Sequence, residues 1–482
     1  MILNEYDFYQ ELLYNGTIQN RTLDFGNEEI EIIGFTNDTI ELINCRIVAD
    51  IITFRDIRNQ DLSVRFQNCY IEAKLRFVNC QFMNLEFRNI QSLISLDINR
   101  GFNLEENNIL RLNRFYFTYN KQNDILIETD FYFKECFFER EFAFDYVNHI
   151  AGRFIFELNK IGNSDLEENN THHYFNIANS ILNNVCFHKN NFLSTFLMNN
   201  CVFNYKQIDR LKYLNTTFSL NKFSKIAFQN SNFTDKTIFA RCQFMDLAYF
   251  ENIKNLENSN LNFIDCEFEK YITFTGAEIA NLSLEKSIFK NTVSFQDAVF
   301  KTLRIDKPHF DKHAYFDGMH IKEIDKCDRS TIRNIKQQLQ KTDNKIDYNR
   351  FRAYELSAYY RELKWWGNFR DWFILAATKA VTGFDHSWRR ALCFTIIAAG
   401  LFYSLFYISE NYMQTLAFAQ WRQFLSGYFR FLIVTDFYNP LADGRSYIDN
   451  TNTIGWFIFI LGKIVIAFGI YEMIQAFRKF KA

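Results

Sequence analysis

Residues 261–321 read LNFIDCEFEKYITFTGAEIANLSLEKSIFKNTVSFQDAVFKTLRIDKPHFDKHAYFDGMHI. A large apolar residue recurs in them at Phe263, Phe268, Phe274, Ile279, Leu284, Phe289, Phe295, Phe300, Ile305, Phe310, Phe316 and Ile321. The steps of 5, 6, 5 and 5 close on a repeat of 21. Residues one repeat apart match in type, so Phe268, Phe289 and Phe310 form one column and Phe274, Phe295 and Phe316 another. Neither the 3.6 period of a helix nor the period of 2 of a strand generates a step of five. A chain that turns a corner every five residues does, with four sides closing one coil and coils stacking on one another.

A second inward position lies two residues before each large one. It holds Leu261, Cys266, Ile272, Ala277, Leu282, Ser287, Val293, Ala298, Leu303 and Pro308. Large and small alternate, which lets four walls fill a narrow interior at native density. The pattern resembles the pentapeptide-repeat family, whose unit is a small residue, a polar one, then Leu or Phe, then two variable positions. The resemblance implies a mainly β fold, a right-handed quadrilateral β-helix.

Repeats are expected over 31–324, after an N-terminal cap at 1–30 in which Asp7 to Leu13 forms a short helix over the first coil. Earlier coils keep the period, with Phe66, Ile71, Phe77, Phe82 and Phe87 spanning 21 residues. The rhythm falters at 100–128 and at the polar, Asn-rich 160–173, which read as insertions thrown out from the coil. A dozen coils at the inter-strand spacing of about 4.8 Å would make a rod of about 60 Å.

Composition narrows the function classes. The chain has 482 residues, room for two or more domains. Its net charge of −2 removes the broad basic attraction that nucleic-acid binding uses. Most of the ten cysteines fall in one context, as in Asn68-Cys69, Asn79-Cys80 and Asp265-Cys266. They read as small buried residues in the solenoid rather than disulfide or zinc ligands, since no CxxC pair exists. No cofactor or metal is expected. His309 and His313 are four apart, but not on one helix face, and no Walker, HExxH or GxSxG signature stands out. An enzyme is therefore not expected.

Near Asp325 the periodicity becomes helical. Thr331 to Gln340 and Tyr348 to Leu363 flank a turn at Asp343-Asn344, so 325–364 reads as a helical hairpin linker. All six Trp residues lie from Trp365 onward. Trp beside basic residues marks a membrane interface, which assigns 365–390 to an interfacial segment. Two apolar runs follow within 391–482, Ala391 to Ile408 and Ile454 to Ile474, each of spanning length. Six Lys/Arg precede the first (Arg361, Lys364, Arg370, Lys379, Arg389, Arg390), and Arg478, Lys479 and Lys481 follow the second. The positive-inside rule then places both termini and the β-helix in the cytosol, the expected setting being the inner membrane of a bacterium.

Between the runs, Gln414 to Val434 is amphipathic and breaks at Thr435-Asp436-Phe437-Tyr438-Asn439-Pro440. The order of span, amphipathic helix, extended turn and span over 389–482 resembles the pore module of two-transmembrane potassium-type channels. It implies a re-entrant segment, a tetramer, and filter positions at Thr435 and Asp436. The filter is degenerate. No glycine follows Thr435 until Gly444, and successive inward carbonyls need glycine. Asp436 is either one residue of a charged ring or a turn residue at the outer interface. Lys463 lies near mid-span, where a charge is costly. It lines a pore, pairs with Asp436 or Glu410, or snorkels to one face. Gly462 and Gly469 are candidates for a hinge or for close helix packing.

Three functions remain in view. The first is an oligomeric ion channel in the bilayer with the β-helix as sensor of a cytosolic protein or small molecule. Such a pore suits a stress or phage-defence effector, though no residue singles that setting out. The second is a non-conducting membrane-anchored scaffold, which the missing glycines favour. The third follows from the resemblance, because some pentapeptide-repeat proteins mimic DNA and act on topoisomerases. The mixed charge of these repeats weighs against it.

Overall fold

The computed structural model describes residues 2–3, 5–33, 35, 37–57, 59–99, 110–119, 126–149, 152–162, 174–183, 185–204, 216–233, 235–364, 366–384, 387–414, 421–442 and 444–478. The chain divides into two compact units, Met1–Cys327 and Asp328–Ala482.

The first unit is a parallel β-solenoid of about 11 turns. In the regular part, Glu278–Glu285 lies on Val299–Asp306 with Glu278 opposite Val299 and Leu284 opposite Ile305, the offset of 21 expected from the spacing. The long strand covers two of the four inward positions, and pairs of two-residue strands such as Ile288–Phe289 and Val293–Ser294 cover the others. Phe268, Phe289 and Phe310 stack at 4.9 and 5.0 Å between ring centroids. Phe274, Phe295 and Phe316 stack at 5.2 and 4.9 Å, with planes within 5°. Each buried ring contributes about 1.5–3 kcal/mol by leaving water, and each ring pair about 0.5–1.5 kcal/mol more. Area removed from water is thus the larger effect, and stacking fixes the register.

Corners carry the second repeating device. Asn20, Asn44, Asn68, Asn89, Asn179, Asn200 and Asn230 turn the chain with φ between 48° and 54°. Asparagine tolerates this left-handed region better than other side chains with a Cβ. Leu158 and Leu220 take the same conformation at another corner, which accounts for their exposure despite being apolar. At many corners the next residue points inward and returns a hydrogen bond to the coil before it, while at others, such as Ile57, Ile90 and Ala298, it is apolar and only fills space. Cys45 Sγ donates to Ile18 O, Cys80 to Phe54 O, Cys136 to Ile98 O, Cys201 to Ile177 O and Cys266 to Phe239 O. Asn159, Asn190 and Asn221 do the same with their amides, donating to the carbonyls of Phe133, Phe156 and Phe187. They also form a ladder, Asn190 Oδ1 accepting from the Asn159 main chain at 2.9 Å and Asn221 Oδ1 from that of Asn190 at 2.9 Å. The cysteines are free, and they hydrogen-bond as well as fill space. Burial pushes the Cys80 and Cys201 thiols up to about 12, so neither is a thiolate at neutral pH.

The solenoid starts earlier than the spacing suggests. Ile2–Leu3 already pairs in parallel with Thr22 and Leu23, helix α1 is Glu5–Asn15, and coil strands follow at Thr17–Gln19 and Thr22–Asp24, ahead of Ile32. Phe8 and Leu12 of α1 are buried, and the Phe8 ring meets Phe25 at 5.4 Å. The expected insertion at 100–128 is smaller than its bounds. Leu110–Thr118 is a strand of the coil, with Leu112, Phe115 and Phe117 fully buried. Its own step from Leu112 to Phe117 is five, and the register shift arises from one extra residue between Phe138 and Glu141 of the strand it pairs with. Residues 100–109 and 120–125 lie outside the described residues. So does most of the insertion expected at 160–173, of which Lys160–Ile161 is a strand and 163–173 are not described.

The second unit is helical. α2 (Arg329–Lys341) and α3 (Lys345–Glu362) form a hairpin in which Ile332, Ile335 and Leu339 are buried, as is Phe351 opposite. Asn344 caps α3 by accepting from Asp347 N at 3.1 Å. α4 (Phe369–Val381), α5 (Trp388–Gln414), α6 (Trp421–Leu432) and α7 (Thr453–Arg478) follow. α5 and α7 are long and apolar enough to cross a membrane. Only 28% and 33% of their apolar windows are buried within the chain, so most of their apolar surface is left uncovered by it.

Two substitutions separate the corner hydrogen bonds from simple filling. Asn190→Ala strands the Asn159 N–H and the Phe156 carbonyl, and a thermal melt should show a loss of about 2–4 kcal/mol. Cys266→Ser keeps the bond that Ser287 makes to Phe263 O one coil later, and should stay within about 1 kcal/mol of the parent.

Candidate functional site

The site is built where α6 ends. At 12 residues α6 is about 18 Å long, too short to cross a bilayer. Its small Gly427 lets it approach α5, since a Cβ there would sit 2.3 Å from the Tyr403 hydroxyl and 3.0 Å from Pro440 O. Tyr403 Oη donates to Phe424 O and Tyr428 Oη to Ile396 O, both at 2.9 Å. Ile396 is the ninth residue of the 27 in α5, so α6 lies along the body of that helix rather than beyond its end. Phe431 is fully buried with Tyr403, Phe406 and Phe459. The chain then returns to the start of α7 through a non-helical strap at 433–452, whose Ile448 joins the same core.

Lys463 is the eleventh residue of the 26 in α7 and only 4% exposed. Its Nζ donates to Ile433 O at 2.6 Å and Phe431 O at 2.8 Å, with Arg430 O at 3.5 Å. The rings of Phe431 and Phe459 each stand 5.1 Å away. A lysine at mid-span costs about 2.5–3.5 kcal/mol. Each hydrogen bond to a charged group contributes about 1.5–3 kcal/mol, so the carbonyls offset that cost. Among the described residues no carboxylate lies within 4.0 Å of the Lys463 ammonium, and Asp436 acts on it only from a longer distance. Carbonyls left over at a helix C-terminus attract an ammonium as a carboxylate does, and here they make its direct hydrogen bonds.

Asp436 sits on the same strap. Its Oδ2 is 3.7 Å from Arg430 Nε, and its Oδ1 accepts from Tyr438 N at 3.1 Å. It is therefore a turn residue whose charge faces Arg430 of the same chain. Thr435 beside it is exposed. Thr435, Asp436 and Lys463 all gather at the end of α6, the link between the latter two being Arg430. Gly462 and Gly469 lie in unbroken helix and mark close approaches. A Cβ at Gly462 would come 2.8 Å from Phe431 Cζ and 2.9 Å from Phe402 Cβ, and one at Gly469 2.3 Å from Thr395 Oγ1.

Two polar latches escaped the sequence reading. Glu410, fully buried near the end of α5, accepts from Asn452 Nδ2 at 2.8 Å and Asn439 Nδ2 at 3.2 Å. Asn452 Oδ1 in turn caps α7 by accepting from Gly455 N at 2.8 Å. The cap was legible as Asn before an apolar run, while its carboxylate partner 42 residues away was not. At the other end of α7, buried Glu472 accepts from Thr382 Oγ1 at 3.1 Å, which ties the residue after α4 to the second long helix.

Gly469→Val should separate α5 from α7 and lower the melting temperature of the detergent-solubilised protein by several degrees. Gly367→Ala, with nothing within 4 Å of the added Cβ, should leave it unchanged.

No family model, curated protein or solved structure matches this chain.

Proposed function

We propose that the chain is a subunit of an oligomeric ion-conducting pore whose β-solenoid is a cytosolic receptive domain. One observation carries the reading. A short helix ends level with mid-span Lys463, and irregular backbone leads away from that point. Non-helical backbone at membrane depth is tolerated only where protein buries it or where it lines water. The strap is half-buried in one chain, with Ile433, Thr435 and Phe437 exposed, so further copies are needed to cover it.

The exposed apolar residues of α5 and α7, among them Ile397, Leu401, Ile408, Phe457 and Ile464, face lipid or neighbouring subunits. α4 exposes Phe369, Phe373 and Ile374 and lies in the interface on the side of the basic residues Arg370, Arg389 and Arg390. That side is the cytosol of a bacterium, with both termini and the solenoid there. Four subunits are the number that the pore-module resemblance favours. The filled interior of the solenoid leaves its outer face as the place where a protein or small molecule binds, and it affects the gate only by favouring one state. We assign no catalytic step. The scaffold reading is favoured by Lys463, which stitches the end of α6 to α7 as a structural tether would. DNA mimicry keeps the least support, because outward ladders such as Glu41, Arg65 and Glu86 mix charge signs.

Recording from full-length protein in planar bilayers decides between them. Discrete current steps are expected, and Thr435→Cys should lose at least half its current when a charged methanethiosulfonate is added. A silent but monodisperse oligomer would establish the scaffold. Current that the modified cysteine leaves untouched would move the pathway away from Thr435.

A further inference from the structure

Three main-chain oxygens converge at the end of α6, those of Arg430, Phe431 and Ile433, and the Lys463 ammonium fills the point between them. Two aromatic faces close its sides at 5.1 Å, an arrangement that suits a cation without a hydration shell. A helix C-terminus carries about −0.5 of an elementary charge, and backbone carbonyls can replace the water around a monovalent ion. The place therefore has the composition of a cation site, and its occupant is covalently part of α7. The close backbone approach at Gly462 keeps that occupant in place, because any larger residue there would push α7 away from Phe431.

We propose that the carbonyls of Arg430, Phe431 and Ile433 form a binding site for a monovalent cation, that Lys463 is its resident tethered occupant, and that the pore consequently carries small anions. The last clause rests on the pore reading above, while the first two do not. The local charge supports it. Lys463 and Arg430 bring two positive charges and Asp436 one negative, so with the helix end the sum is about +0.5 per chain. The buried Glu410 carboxylate keeps its negative charge, since its partners Asn439 and Asn452 are neutral amides, but Asn452 sits at the cap of α7, about 16 Å along the helix from Lys463, so Glu410 acts at another level. A ring of such subunits repels cations at the level where a cation pathway would attract them.

The site is tested by thermal melting of the full-length chain in detergent, with potassium, sodium, methylammonium or N-methylglucamine as the only cation. The parent should be indifferent. Lys463→Ala, which removes the occupant, should gain several degrees in potassium or methylammonium with saturable dependence, and N-methylglucamine, too large to enter, should do nothing. Recovery of Lys463→Ala only when methylammonium is present during extraction would support the assignment equally. A Lys463→Ala or Lys463→Met protein that is recovered and ignores every cation overturns it. Selectivity is read from the reversal potential of the parent in a potassium chloride gradient. A value on the chloride side is expected, moving toward potassium in Lys463→Ala, and a parent value on the potassium side overturns the anion assignment. Absence of any current removes the pore reading and leaves the binding site to the melting experiment.

Discussion

A solenoid closes only if its corners do not strand backbone groups. Every coil of this protein must turn sharply several times, and each turn interrupts the ladder that would otherwise satisfy N–H and C=O groups. A buried polar group left alone costs about 1–3 kcal/mol, and two such groups in each of about 11 coils would exceed the net stability of an ordinary domain. At many corners the chain answers with a residue in the left-handed region followed by a short polar side chain that reaches the neighbouring coil. Cysteine, serine and asparagine serve interchangeably, as Cys266, Ser287 and Asn190 show. The Phe columns supply most of the stabilisation, but they can stack only because the corners bring successive coils to one height.

How much of this is visible in the sequence depends on spacing. Over 261–321 nothing interrupts the repeat of 21, and the columns of Phe268 and Phe274 read off directly. Elsewhere the chain inserts residues between corners. Asn159, Asn190 and Asn221 are 31 apart, so a fixed-period comparison misses them although they occupy equivalent places. Corner pairs such as Asn68-Cys69 carry the better signal there, because the need for a positive φ and then an inward hydrogen bond survives any insertion. One extra residue between Phe138 and Glu141 breaks the fixed period in the same way.

The helical unit was legible at a coarser level. Length and hydropathy pick out α5 and α7, and the break after Val434 marks the return of the chain. Depth in a span is encoded locally, so Lys463 was visible as a problem. Its solution was not, since three oxygens presented by a helix end 30 to 33 residues away have no side-chain signature. Gly427 and Glu410 belong to the same category. Each matters through an element distant in sequence, the one by letting Tyr403 approach and the other by holding Asn452 at the cap of α7.

The unequal distances between corners have an evolutionary consequence. Because a coil is defined by where it turns and not by how many residues lie between turns, extra sequence can be spliced at a corner while the coils above and below keep their partners. The spacing already varies from 21 to 24 and 31 residues without disturbing the stack. Such a scaffold can trade one loop for another over generations, whereas the helical unit, where a single methyl group at Gly462 or Gly469 meets neighbouring atoms, has little freedom to drift.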